Sequence, residues 1–155
     1  MISTVRRVLC VTDLSELGNA AVPHAYSVLP QGGVVHLLHV IEHAPLPGPL
    51  VPHYTPGHRA TPDERAAHAH EIETQLRKLA PPEAATLRIE TKIEVVEGEK
   101  VAPTICHTAQ ALGVDLICIG SHGRSGLASA LLGSVTLDVI HRCGRLPVLV
   151  VRWQR

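Results

Sequence analysis

Short apolar runs rich in β-branched residues recur along this chain, and helix-patterned stretches separate them. Strands that alternate with helices cannot pair as hairpins. They pair in parallel, through right-handed crossovers, so the expected class is α/β with helices on both faces of one sheet. The runs lie at Val5–Thr12, Val34–Ile41, Leu87–Val96, Val114–Ile119 and Pro147–Val151. The helices are expected from Ser15 or Asn19 to about Leu29, from Thr61 to Leu79, from Lys100 to Leu112 and from Leu132 or Gly133 to about Cys143. Pro23 suits the first helix if it starts near Asn19, and otherwise implies a kink. Thr61-Pro62-Asp63-Glu64 has the form of a capped start, and Gly113 that of a stop. The apolar strands at the ends of the chain are expected to lie centrally, covered on both faces. No internal repeat is visible, and 155 residues suit a single domain over 1–155. Its one irregular stretch is a Pro- and His-rich loop at about 43–62, which carries Pro45, Pro47, Pro49, Pro52, Pro56 and Pro62.

Composition narrows the function. With 14 basic and 14 acidic side chains, the chain lacks the basic excess of a nucleic-acid surface. It has no Phe, two Tyr and one Trp, too few for a base-stacking platform. No signal peptide or membrane span is apparent, so neither a membrane nor a nucleic acid is expected as partner. Cys10, Cys106, Cys118 and Cys143 form no CxxC pair, and Cys10 and Cys118 sit within apolar runs. This pattern reads as a reduced, cytoplasmic chain rather than a disulfide scaffold.

The fourth apolar run opens into GSHGRSGLASALLGS, residues 120–134. In open α/β sheets ligands bind beyond the carboxyl ends of the strands, where the winding reverses. A strand order 3-2-1-4-5 would make neighbours of the first and fourth strands, with Asp13 and the glycine segment facing one crevice. Gly120 and Gly123 let a ligand approach the backbone. Gly133-Ser134-Val135 stands at the mouth of a helix, where free N–H groups and the positive dipole end favour phosphate oxygens. Asp13 can accept from a ribose hydroxyl or a base amino group, and Val11, Val40 and Ile119 can supply an apolar slot for adenine. By spacing alone a second reading also fits: the glycines only turn the chain and Asp13 caps a helix. The pattern is neither GxGxxG nor GxxxxGK[ST].

The segment fits G-x2-G-x9-G-[ST], with Gly120, Gly123, Gly133 and Ser134 in place, and in this it resembles the nucleotide-binding signature of the universal stress protein family. VLCVTDLSE, VVHLLHVIE, DLICIGSHGRSGL and LLGSVTLDVIHRCGRLPVLVVR resemble the family's strands in the same order, across nearly the whole chain. The resemblance implies a Rossmann-like, adenine nucleotide alpha hydrolase-like sheet of order 3-2-1-4-5, a homodimer, and a regulatory or sensing role in stress response. It also implies ATP as ligand, together with Mg²⁺. Gly120, Gly123, Gly133, Ser134 and Val135 would hold ribose and phosphates. Asp13 and Val40 would contact adenosine, with Thr12 and Ile119 close by and His122 and Thr136 as neighbours. Where many relatives carry basic residues between Gly126 and Gly133, this chain has Leu127 to Leu132, so Arg124 is the loop's one cation.

Three features stand beside that site. Seven of the 11 histidines fall at His36, His39, His43, His53, His58, His68 and His70. Without HxxxH on a helix they read as solvated loop and strand residues rather than metal ligands, the alternative being a dimeric interaction protein with a vestigial nucleotide site and a metal-responsive His-rich loop. Catalysis has no announced nucleophile and base, so the chain reads as a binding protein with at most slow ATP hydrolysis. The C-terminal PVLVVRW is apolar and near an edge, which makes Val148, Val150 and Trp153 candidate dimer contacts.

Overall fold

The computed structural model describes residues 4–43, 60–123 and 132–152. Most of the Pro- and His-rich segment, Arg124, Ser125 and Trp153 therefore lie outside the described residues. Five parallel strands form one sheet in the order β3-β2-β1-β4-β5, as expected. They are β1 (Arg7–Val11), β2 (Val34–Glu42), β3 (Glu90–Gly98), β4 (Leu116–Gly120) and β5 (Val148–Val151). β1 and β4 are central. β5 takes an outer edge and is only half-buried along most of its length, which corrects the expectation that both terminal strands lie centrally. An edge strand has a neighbour on one side only, so its apolar composition does not bury it.

Two clusters fill the faces of the sheet. Val8, Cys10, Val35 and Leu37 pack under α2 (Ala21–Ser27) and α3 (Pro62–Leu79) on one face. Leu9, Val11, Leu38, Ile117 and Ile119 pack on the other with Ile105 of α5 (Val101–Leu112) and Val139 of α6 (Ser134–Arg142). The alternation along β1 and β2 sends successive side chains to opposite faces, and both faces are covered, which is why these strands are mostly apolar.

Local signals explain the element ends. Thr61 and Glu64 form a reciprocal capping box at the start of α3, and Pro62 stands in its first turn. Gly113 ends α5 at φ 60°, in the left-handed region. Asp115 accepts from the N–H groups of Arg6 and Arg7, at 2.9 and 2.8 Å, and so fixes where β1 starts against β4. The first helical stretch is broken: α1 (Glu16–Asn19) stops at Ala20 and α2 begins at Ala21, with Pro23 in its first turn, where a missing N–H costs nothing. The sequence reading missed α4 (Glu83–Thr86) and so started β3 too early.

The cysteine expectation is also corrected. Cys10 and Cys118 are buried free thiols at paired positions on β1 and β4, but Cys106 and Cys143 form a disulfide between α5 and the C-cap of α6. Spacing could not reveal it, because the two residues are 37 apart and only the packing of the helices joins them.

Candidate functional site at the strand reversal

β1 and β4 are neighbours, with Val11 beside Ile119 at their carboxyl ends. After β1 the chain crosses on the α2 face, and after β4 it crosses on the α6 face. The two exits diverge and leave a cavity of about 240 Å³ between them. Thr12, Asp13, Val40, Ile119, Gly120, His122, Gly123, Gly133, Ser134, Val135 and Thr136 all line it. Every residue singled out from the sequence for a nucleotide is therefore brought to one space. Gly18, His39 and Val101 line it too and were missed.

The floor is built by the turn after β1. Thr12 donates its N–H to Leu38 O at 3.0 Å and is buried. Its hydroxyl contacts Asn19 Oδ1 at 2.6 Å and accepts from Leu14 N at 3.0 Å. Leu14 has φ 64°, a left-handed conformation that costs a bulky side chain about 1–3 kcal/mol. Those bonds hold the strained turn that sets Asp13 against the cavity. Asp13 Oδ1 accepts from both the N–H and the hydroxyl of Ser15, the N-cap of α1. Asp13 thus supports the helix start and lines the cavity at once. The two sequence readings of Asp13, as a cap and as a ligand contact, are geometrically compatible. Gly18 and Gly123 flank its carboxylate so closely that a Cβ on either would overlap one of its oxygens.

The opposite wall is the start of α6. Gly133 is the N-cap and has no side chain with which to cap the first N–H groups of the helix. Gly133 N–H donates to Ser121 O at 2.8 Å, and the buried hydroxyl of Thr136 donates to Gly120 O at 2.8 Å. These two bonds pin the helix mouth to the end of β4. His122 Nδ1 lies 3.1 Å from Ser121 Oγ, and its buried Nε2 has no hydrogen-bond partner among the described residues. Val11, Val40, Val101 and Ile119 make the cavity apolar towards the sheet.

The described histidines are engaged or exposed. His39 Nδ1 lies 3.0 Å from Thr12 O, which requires the proton on Nδ1. His36 pairs with Glu94 at 2.9 Å and His43 with Glu97 at 2.8 Å, while His68 and His70 are exposed on α3. Among the described residues no group of three or more His, Cys, Asp or Glu could hold a metal ion. His53 and His58 lie outside them. Among the described residues, no helix is long and apolar enough to cross a membrane.

Comparison with known proteins settles the lineage. The profile of the universal stress protein family matches residues 4–152. The chain belongs to the universal stress protein family. It is 31% identical over 159 residues to Universal stress protein MJ0577 of Methanocaldococcus jannaschii, covering 95% of this chain and 94% of that one. The solved structure of MJ0577 superposes with a TM-score of 0.73 at 26% identity, over 99% of both chains. Two more distant members share the fold. A universal stress protein in complex with cAMP has a TM-score of 0.55 at 20% identity, over 98% of this chain and 100% of that one. The universal stress protein from Archaeoglobus fulgidus in complex with dAMP has a TM-score of 0.56 at 20% identity, over 97% and 98%.

Proposed function

We propose that this chain is an ATP-binding, cytoplasmic universal stress protein that acts as a regulatory homodimer, one domain throughout. One observation carries the reading: Asp13 and a helix mouth whose N-cap, Gly133, has no side chain line a single cavity. A nucleotide needs both poles. The α6 end attracts phosphate oxygens through its N–H groups and dipole, and the Ser134 hydroxyl adds a donor. Asp13 accepts from ribose or base, and the apolar wall of Val11, Val40 and Ile119 suits adenine. The cAMP and dAMP complexes of two family members support an adenine ligand. Mg²⁺ would travel on the phosphates, as it does where proteins supply only one or two ligands.

The reading is binding rather than turnover. Among the described residues, the serine–imidazole contact beside the cavity uses Ser121, a buried hydroxyl that does not line it. Dimerisation through the open edge of β5 fits its half-buried apolar residues Val148 and Val150, Trp153 being the further expected contact.

The test is to purify the protein without added nucleotide, denature it, and identify what is released by mass spectrometry, then to titrate Mg-ATP. Near-stoichiometric adenine nucleotide, or tight binding lost in Gly133→Val and Asp13→Ala with the fold intact, is the expected result. An empty protein that stays silent to Mg-ATP would sink the reading.

A further inference from the structure

The Cys106–Cys143 disulfide joins the two helices that carry one wall of the cavity. Val101 at the start of α5 lines that wall, as do Ser134, Val135 and Thr136 at the start of α6. The loop that the bond closes contains β4, all of residues 120–134 and α6. Besides the disulfide, α6 is held by the Gly133 and Thr136 bonds to the end of β4 and by a narrow buried face. Of its nine residues only Thr136 and Val139 are buried, while Leu137 and Ile140 remain exposed. A helix this short is not stable alone in water. Its N–H groups and dipole act on an anion only at short range, so they serve the site only while the helix keeps its position.

Resting on the nucleotide reading above, we propose that the Cys106–Cys143 bond is a redox latch on the nucleotide site. Oxidised, it holds α6 against α5 and keeps the phosphate end formed. Reduced, it frees α6 to move and fray, and nucleotide affinity falls. The chemistry is thiol–disulfide exchange with a low-molecular-mass thiol. The thiolate attacks one sulfur, a mixed disulfide forms, and a second thiol releases the other product. Per protein, two thiols become one small disulfide, and two electrons and two protons convert the bond to Cys106-SH and Cys143-SH. Oxidised small thiol reverses the exchange. Both cysteines are partly exposed, which gives a small thiol access to the bond. By linkage, bound nucleotide must protect the disulfide by the same factor by which the disulfide tightens nucleotide.

The experiment compares Mg-ATP affinity by calorimetry for the oxidised and the reduced protein, with the bond state of each sample read by intact mass. Reduction is expected to weaken binding about fivefold or more, the scale of ordinary coupling between sites. Cys143→Ser is expected to match the reduced protein and to ignore reductant. Equal affinity in two verified redox states would overturn the latch. Binding by neither form would overturn the nucleotide reading instead, and amide hydrogen exchange of α6 then tests the latch alone. Faster exchange on reduction supports it, and unchanged exchange removes it. Cysteines that stay free under oxidising conditions would also remove it.

Discussion

Gly123 stands against Asp13 so tightly that a methyl group on its Cα would overlap carboxylate oxygen Oδ2. Gly18 makes the same approach to Oδ1, the oxygen already held by Ser15. Either glycine replaced by alanine must swing Asp13 away from its place. Gly18→Ala and Gly123→Ala are expected to weaken ATP binding at least tenfold, nearly as much as Asp13→Ala, with stability lowered by only about 1 kcal/mol. Calorimetric titration beside urea unfolding checks both numbers. Full affinity in both alanine variants would mean that the position of Asp13 does not matter.

Thr136 closes the other side of the site through Gly120 O. Thr136→Val keeps the shape and leaves that carbonyl without its partner. A loss of about 1 kcal/mol in stability is expected, together with weaker phosphate binding, and Thr136→Ser should restore both. If adenosine affinity falls as much as ATP affinity, the bond does not act through the phosphate end.

Alkaline stability should report on the core beneath β1. Burial holds the Tyr26 phenol above the ordinary tyrosine range, against a smaller opposing effect of its 2.7 Å hydrogen bond with Thr91. Cys10 is raised too, first by its hydrogen bond with Cys118 and then by burial. Groups raised in the folded state contribute stability that is fully present below their unfolded values and is lost as pH rises through the folded ones. Stability should therefore fall above about pH 9–10. Tyr26→Phe should cost about 1 kcal/mol at neutral pH and flatten that fall. Urea unfolding at both pH values decides it, and an unchanged alkaline slope would count against Tyr26.

The β5 edge carries the dimer reading. Val148→Lys and Val150→Lys place a charge on half-buried positions whose long stem can reach solvent. Each is expected to give monomer by sedimentation equilibrium, with unchanged circular dichroism. A wild-type monomer, or variants that remain dimeric, would move the interface elsewhere.

Much of this was legible before any coordinates. Period-2 and 3.6-residue patterns revealed five strands and the major helices, and Thr61-Pro62 and Gly113 marked their ends. The short α1 and α4 escaped, because four-residue helices have no pattern long enough to read, although Pro23 had marked a late start or a kink in the first helical stretch. Gly18, His39 and Val101 also escaped the site. Each lies on an ordinary helix or strand and joins the cavity only through packing.

Local chemistry thus determined the α/β class, the glycine segment, and the phosphate-favouring start of the last helix. Those features depend on residues close together in the chain, where backbone preference and hydrophobic period act directly. Tertiary structure alone decided that Asp13 and the start of α6 share one cavity, that Gly18 and Gly123 clasp one carboxylate, and that Cys106 meets Cys143. Each of these is a contact between distant segments, set by how helices pack on a twisted sheet rather than by any local propensity.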